Sequence, residues 1–138
     1  MRARTLVVTL GVLVVVAIAA ASYGALTAKQ NAADFVRAAA MQDISALGRL
    51  GFADSARRPQ ALSRHLFGTD AAFLPARVDA SLDSRFPVQL FPVTYGVTVA
   101  VSGGGTPNAL EGDRIGLGIV FGLNGRPSVG QMLPQLRE

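Results

Sequence analysis

The sequence predicts an α+β protein: an N-terminal transmembrane helix, then a small domain of N-terminal helices packed on a curved antiparallel sheet. Three observations carry that expectation. Thr5 to Ala28 is a run of 24 residues without a charge. Between Asn31 and Asp83, apolar residues recur three and four positions apart, the spacing of one helix face. From Val93 onward they alternate with small or polar residues, the spacing of a strand. Residues 1–28 therefore read as an anchor or uncleaved signal, and 29–138 as an extracytoplasmic α+β domain.

The anchor rests on length. At about 1.5 Å per residue the uncharged run spans roughly 36 Å, enough to cross a hydrocarbon core of about 30 Å with some tilt. A cleaved signal peptide is the alternative: its apolar core runs about 7–15 residues and ends in small residues, and Ala19-Ala20-Ala21-Ser22 offers such an end. The strongly apolar stretch already occupies 17 residues from Thr5 to Ala21, however. Tyr23 then stands where interfacial aromatics stand. A core helix of a soluble protein is a poor third account, since the remaining chain is too short to enclose a helix that is apolar all round. Arg2, Arg4 and the terminal amine precede the run, while Lys29 and Arg37 follow it with Asp34 between them. The positive-inside rule then favours a single pass through the inner (plasma) membrane, with a cytoplasmic N-terminus and an exported C-terminal body.

Composition excludes several kinds of chemistry. With no Cys there is no disulfide framework, thiol nucleophile or zinc finger, and with one His a histidine metal site within one copy is not expected. The formal charge of +4 comes from 12 Arg and one Lys against 9 acidic residues. Without Arg2 and Arg4 the body holds 11 basic and 9 acidic residues, too even a balance for a nucleic-acid-binding face.

Along the body, Asn31 is expected to cap a helix beginning NAADFVRAAAMQ, with Val36, Ala40, Ile44 and Leu47 as its apolar stripe. Ala38, Ala39 and Ala40 keep that helix thin. Asp43 is expected to cap a short helix, ISALGRL, that Gly51 ends. Arg58-Pro59 opens another, since proline fits a first turn; Leu62 and Leu66 share a side, and Gly68 stops it. Asp70 to Asp83 reads as helical, broken or started by Pro75, because Val78 and Leu82 lie one turn apart.

Val93, Tyr95, Val97, Val99 and Val101 then alternate with Thr94, Gly96, Thr98 and Ala100, and Pro87 and Pro92 confine the start of this strand to an edge or bulge. Ser102 to Gly112, with three consecutive glycines, reads as a flexible loop. A second strand alternates Ile115, Leu117, Ile119, Phe121 and Leu123 with Gly116, Gly118, Val120 and Gly122. Asn124-Gly125 is a strong hairpin signal, and Val129 to Leu133, bounded by Pro127 and Pro134, is the expected return strand. Glycines aligned on one strand face cost conformational entropy, so either the sheet bends there or something packs on its backbone, and the alanine-rich helix is the natural occupant.

The segments AADFVRAAAMQDISALGRL, VTYGVTVAV and DRIGLGIVFGLNGRPSVGQMLP, in that order, resemble the nuclear-transport-factor-2-like (cone-shaped α+β) superfamily, in its membrane-anchored bacterial envelope branch. Ala32, Phe35 and Ala38 match the A-x-x-F-x-x-A form of its first helix, followed by Asp43. Gly125, Arg126 and Val129 match its closing hairpin, except that Pro127 stands where the aromatic is expected, with Ser128 before the valine. The resemblance covers roughly residues 31–134 and rests on structural motifs. It implies a scaffold or interaction role, as in secretion, conjugation or transport assemblies, rather than catalysis.

No catalytic constellation is expected. His65 lies on a surface helix, with Asp70 beyond a glycine as its nearest sequence partner for acid–base work. Asp34 reads as a helix N-terminal charge and Asp43 as a cap, while Glu111 and Asp113 stand at a strand mouth. Ser102-Gly103-Gly104-Gly105 lacks the Lys-Ser or Lys-Thr of a phosphate loop, and Gly116-x-Gly118 lies inside a strand. The local excess of positive charge, Arg49, Arg57, Arg58, Arg64 and His65 offset by Asp54, reads as a solvated face; its functional alternative is contact of Arg57, Arg58 and Arg64 with a partner or anionic headgroups. The expected function is a non-catalytic, membrane-anchored accessory or assembly subunit of a bacterial cell-envelope complex. Its partners are the membrane, through residues 5–28, and other envelope proteins or further copies of the chain; no nucleic acid, metal or cofactor is expected. The alternative is a carrier of a small apolar ligand or lipid in a pocket between Phe35, Val97 and Phe121.

Overall fold

An unbroken helix of 40 residues, α1 (Arg2–Met41), carries the chain from its N-terminus into the core. A computed structural model of the protein describes residues 2–51, 57–69, 71–82, 89–90, 93–107, 114–123 and 126–133. At about 1.5 Å per residue α1 is roughly 60 Å long, and its two halves have different surroundings. The large apolar side chains from Leu6 to Ile18 are 54% to 67% exposed. From Ala28 on, Ala28, Asn31, Ala32, Phe35, Val36 and Ala38 to Ala40 are buried at helical spacing, the stripe that packs the body.

The helix expected to start at Asn31 therefore starts at Arg2. A capping residue matters where a chain arrives in a non-helical conformation; here the chain arrives already helical, and each further residue adds a hydrogen bond with no new nucleation cost. Asn31 is instead buried, and its Nδ2 donates to the Pro127 carbonyl at 3.4 Å. Asp34 likewise stands in mid-helix, 3.9 Å from Arg37 one turn on. The C-terminus of α1 is a Schellman motif: Asp43 N–H donates to Ala38 O at 2.9 Å, Gln42 N–H to Ala39 O at 3.3 Å, and Gln42 takes a left-handed φ of 55°.

The two short helices follow the sequence expectation. In α2 (Ile44–Leu50) the Asp43 carboxylate accepts from Ala46 N–H at 3.2 Å, and Gly51 closes the helix onto Leu47 O. Leu47 is buried but Ile44 is exposed, so the stripe read through Ile44 is carried by Val36, Ala40 and Leu47 from two helices. In α3 (Pro59–Phe67), Pro59 occupies the first turn, Leu62, Ser63, Leu66 and Phe67 are buried, and Gly68 ends the helix at φ 71°. Ser63 Oγ donates to Thr69 O at 2.9 Å, and Phe67 meets Phe73 edge-on with ring centres 5.0 Å apart.

The sheet is antiparallel, in the order β1-β3-β4-β5, with the two-residue β2 also on β3. Its strands are β1 (Pro75–Leu82), β2 (Gln89–Leu90), β3 (Val93–Gly104), β4 (Arg114–Phe121) and β5 (Pro127–Leu133). The segment read as helical between Asp70 and Asp83 is thus an edge strand over its described residues. Val78 and Leu82 are four apart, a separation that fits a helical turn and two strand repeats equally. Val78 and Ala80 are half-buried while Arg77, Asp79 and Ser81 are exposed, which is the period of two. Pro75 opens the strand, where a missing N–H costs nothing to the ladder.

Of the glycines expected to loop after Ser102, Gly103 and Gly104 continue β3 and Gly105 turns away. Gly104 pairs with Pro75 at φ 59°, and a Cβ there would lie 2.9 Å from Ala76 N and 3.0 Å from Ala76 Cβ. Glycine lets the two strand ends meet. Residues 108–113 lie outside the described residues, as do Asn124 and Gly125; beside the latter pair, Gly122 N–H donates to Arg126 O at 3.1 Å.

Register decides which sheet face meets the helices. Val97 pairs with Leu117, Val99 with Ile115, and Tyr95 with Ile119; these valines, isoleucines and Leu117 join Phe35, Val36 and Leu47 in one buried core. By alternation, the pairs Gly96–Gly118 and Thr98–Gly116 point to the opposite face. The alanine-rich helix therefore packs on branched side chains and not on the glycine face. These two pairs lie back to back with the core, so their register was invisible until the strand partner was known. A bulge falls where Gly118 and Ile119 face Gln131 and Val129, with Gly130 between them.

Gly51 joins the helical layer to the sheet. It bridges Val129 at φ 147°, and a Cβ would sit 2.5 Å from Val129 N and 2.9 Å from Val129 O, both backbone atoms. Gly51→Ala is expected to cost about 2–3 kcal/mol or more, through strain and overpacking. Gly48→Ala, inside α2 with nothing within 4 Å of the new methyl, is expected to stabilise by about 0.5–1 kcal/mol. Urea unfolding of the detergent-solubilised chain measures both.

Candidate membrane and partner interfaces

α1 is long and apolar enough to cross a membrane, and none of its most apolar stretch is buried by the body. The apolar side chains of this half point outward on all sides, where water would charge about 25 cal/mol for every Å2 of them. Arg2 and Arg4 stand at one end of this stretch. At the other, the body makes its first contact with the helix. Tyr95, near the start of β3, reaches back to α1: its hydroxyl donates to Ala21 O at 3.5 Å. Gly24 makes the room, since a Cβ there would lie 3.0 Å from the Tyr95 oxygen and 3.5 Å from its ring. Phe121 packs edge-on against the Tyr95 ring, with centres 5.6 Å apart. Tyr23, between the two contact residues, is 72% exposed.

The arginines singled out in the sequence do come together. Arg57 and Arg58 precede α3 and Arg64 lies in its last turn; with Gln42, Pro59, Gln60 and Ala61 they line an open hollow of about 430 Å3. Arg58 occupies the N-cap of α3 without a side-chain cap bond, so two guanidinium groups stand at the helix end whose dipole favours anions. An acidic group in this hollow would relieve both. Arg49 closes α2 at its C-terminal end, where a cation is favourable. Gln42 marks the hollow's level along α1, 21 residues beyond Ala21 and so roughly 30 Å farther along the helix axis.

The residues proposed to line an apolar pocket lie in or against the core. Phe35 and Val97 are fully buried, and Phe121 is half-buried beside Tyr95. His65 is exposed on α3, Asp43 is spent as the α2 cap, and Asp54, Asp70, Glu111 and Asp113 lie outside the described residues. Ser102 to Gly104 close β3, and Gly116 and Gly118 sit within β4. Sequence reasoning did not single out Gly24 or pair Tyr95 with α1. The bond from Tyr95 to Ala21 spans 74 residues, and no local pattern announces it.

No family model, curated protein or solved structure matches the chain. What the structure defines is one apolar helix able to cross a membrane, continued without a break into the core of an α+β body.

If Phe35 is core, Phe35→Ala is expected to cost about 3–5 kcal/mol in urea unfolding, as for other buried aromatics. A side chain lining an open pocket would cost far less.

Proposed function

We propose that this chain is a single-pass, membrane-anchored accessory or assembly subunit of a bacterial cell-envelope complex, acting by protein–protein contact and not by catalysis. The observation that carries the reading is the continuity of α1. One helix is lipid-compatible in its first half and core-forming in its second, so the body is held at a membrane with no linker to let it wander. Arg2 and Arg4 orient it with the N-terminus in the cytoplasm and the body outside. The partner surface is the arginine-lined hollow around Arg57, Arg58 and Arg64, held well above the bilayer, and its complement is an acidic patch on another envelope protein or on a second copy.

The nuclear-transport-factor-2-like, curved-sheet reading belongs to the same proposal. Helices on one face of an antiparallel sheet support it, as does the bulge at Gly130, which bends β5. The carrier reading asks Phe35 and Val97 to open onto a ligand, and their complete burial favours the scaffold reading instead.

Two measurements test the proposal. Reporters fused after Glu138 are expected to be active when they require export and silent when they require the cytosol; the reverse overturns the orientation. A photo-crosslinker at Gln60, on the rim of the hollow, is expected to yield discrete adducts in intact cells. Those adducts should weaken by roughly fivefold with Arg57→Glu or Arg58→Glu alone and by roughly thirtyfold with both, if each reversed charge costs on the order of 1 kcal/mol in a partly desolvated contact. Adducts unchanged by both reversals would remove the arginines from the interface.

A further inference from the structure

The chain has two tyrosines, Tyr23 and Tyr95, and the fold brings both to one level of α1. Tyr95 touches the helix at Ala21 and Gly24, and Tyr23 lies between those residues in sequence. At about 100° per residue, Ala21 and Gly24 share one side of the helix and Tyr23 faces largely the other way. One phenol thus comes from the helix and one from β3, on two sides of the same turn. Phe121 adds a third ring through its edge-on contact with Tyr95.

That turn is where the lipid should end. About 20 residues of helix cross a hydrocarbon core of about 30 Å, and counting from Thr5 that length ends at Gly24. The first fully buried residue of α1 is Ala28, one turn later, and the first charge after the apolar run is Lys29. Tyrosine is favoured at this depth because its ring is apolar and its hydroxyl is wet. Tyr95 is half-buried, so part of it remains open to its surroundings.

We infer that Tyr95 and Phe121, with Tyr23, form an aromatic collar at the headgroup level, so that the body rests flush on the lipid surface at this end of the sheet. The partner is the bilayer itself, continuous with the lipid-facing surface of α1. The inference rests on the membrane-spanning reading of α1, and it adds a second contact: the domain touches lipid through a strand as well as through its anchor. This rigid seat would hold the arginine-lined hollow at a constant height above the membrane. Gly24 has a role in it, because a side chain there would press on Tyr95 and lift the collar from the helix.

The chain contains no Trp, so a single introduced tryptophan reports cleanly on depth. Full-length protein is reconstituted into phosphatidylcholine vesicles whose acyl chains are brominated at either shallow or deep carbons. Tyr95→Trp is expected to lose more emission to the shallow bromines than to the deep ones, Leu13→Trp more to the deep, and Gln60→Trp none to either. Should Tyr95→Trp disturb the fold, Tyr23→Phe leaves Tyr95 as the one native tyrosine, and its own emission is read in the same vesicles with the same expectation. Loss from Leu13→Trp without loss at position 95 in either variant would overturn the collar and leave the anchor standing. No loss from Leu13→Trp would overturn the anchor, and the collar with it.

Discussion

The structure depends on one helix serving two solvents. The first half of α1 carries valines and leucines on every side and is buried by nothing in the body. The second half turns Ala32, Phe35, Val36, Ala39 and Ala40 into a sheet. Because no residue between Arg2 and Met41 breaks the hydrogen-bond ladder, the two halves cannot reorient independently without bending the helix. Location and fold are therefore coupled. Whatever direction the apolar half takes fixes the direction of the core half, and the sheet follows because Phe35 and Val36 share one buried core with Val97, Val99 and Leu117.

The rest of the body is arranged around that constraint by close approaches. Alanines at 38, 39 and 40 let α1 end near the start of β1, where Phe73 N–H reaches Ala40 O at 2.9 Å. Gly51 lets the end of α2 touch the backbone of β5, and Gly104 lets β3 touch β1. At both glycines a methyl group would collide with backbone, and backbone cannot move aside as a side chain can. The helical layer, with little bulk at these points, is thereby locked to both edge strands of the sheet.

Function in this reading follows from height. The tyrosine level and the arginine level lie at opposite ends of the core half of α1, roughly 30 Å apart along its axis. Aromatic rings suit the wet boundary of a bilayer, whereas clustered guanidinium groups suit an acidic partner beyond it. On that proposal, a rigid rod with a lipid-compatible foot and a cationic head presents a binding surface at a set distance from a membrane.

Local chemistry made much of this legible. The uncharged run gave the membrane-competent helix, Asp43 and Gly51 bounded α2, Pro59 and Gly68 bounded α3, and strict alternation exposed β3 and β4, because capping, proline geometry and periodicity act within a few residues. Where two structures share a local pattern, the sequence could not choose. Val78 and Leu82 fit helix and strand alike, and pairing with β3 selected the strand. Asn31 is a sound cap until the preceding chain is already helical. The face on which Gly116 and Gly118 lie, the seat of Tyr95 on Gly24, and the meeting of Gln42 with Arg57 and Arg58 depend on residues far apart in the chain. Only the register of the strands and the path of α1 decided them, since contact between distant segments leaves no periodic trace in either one.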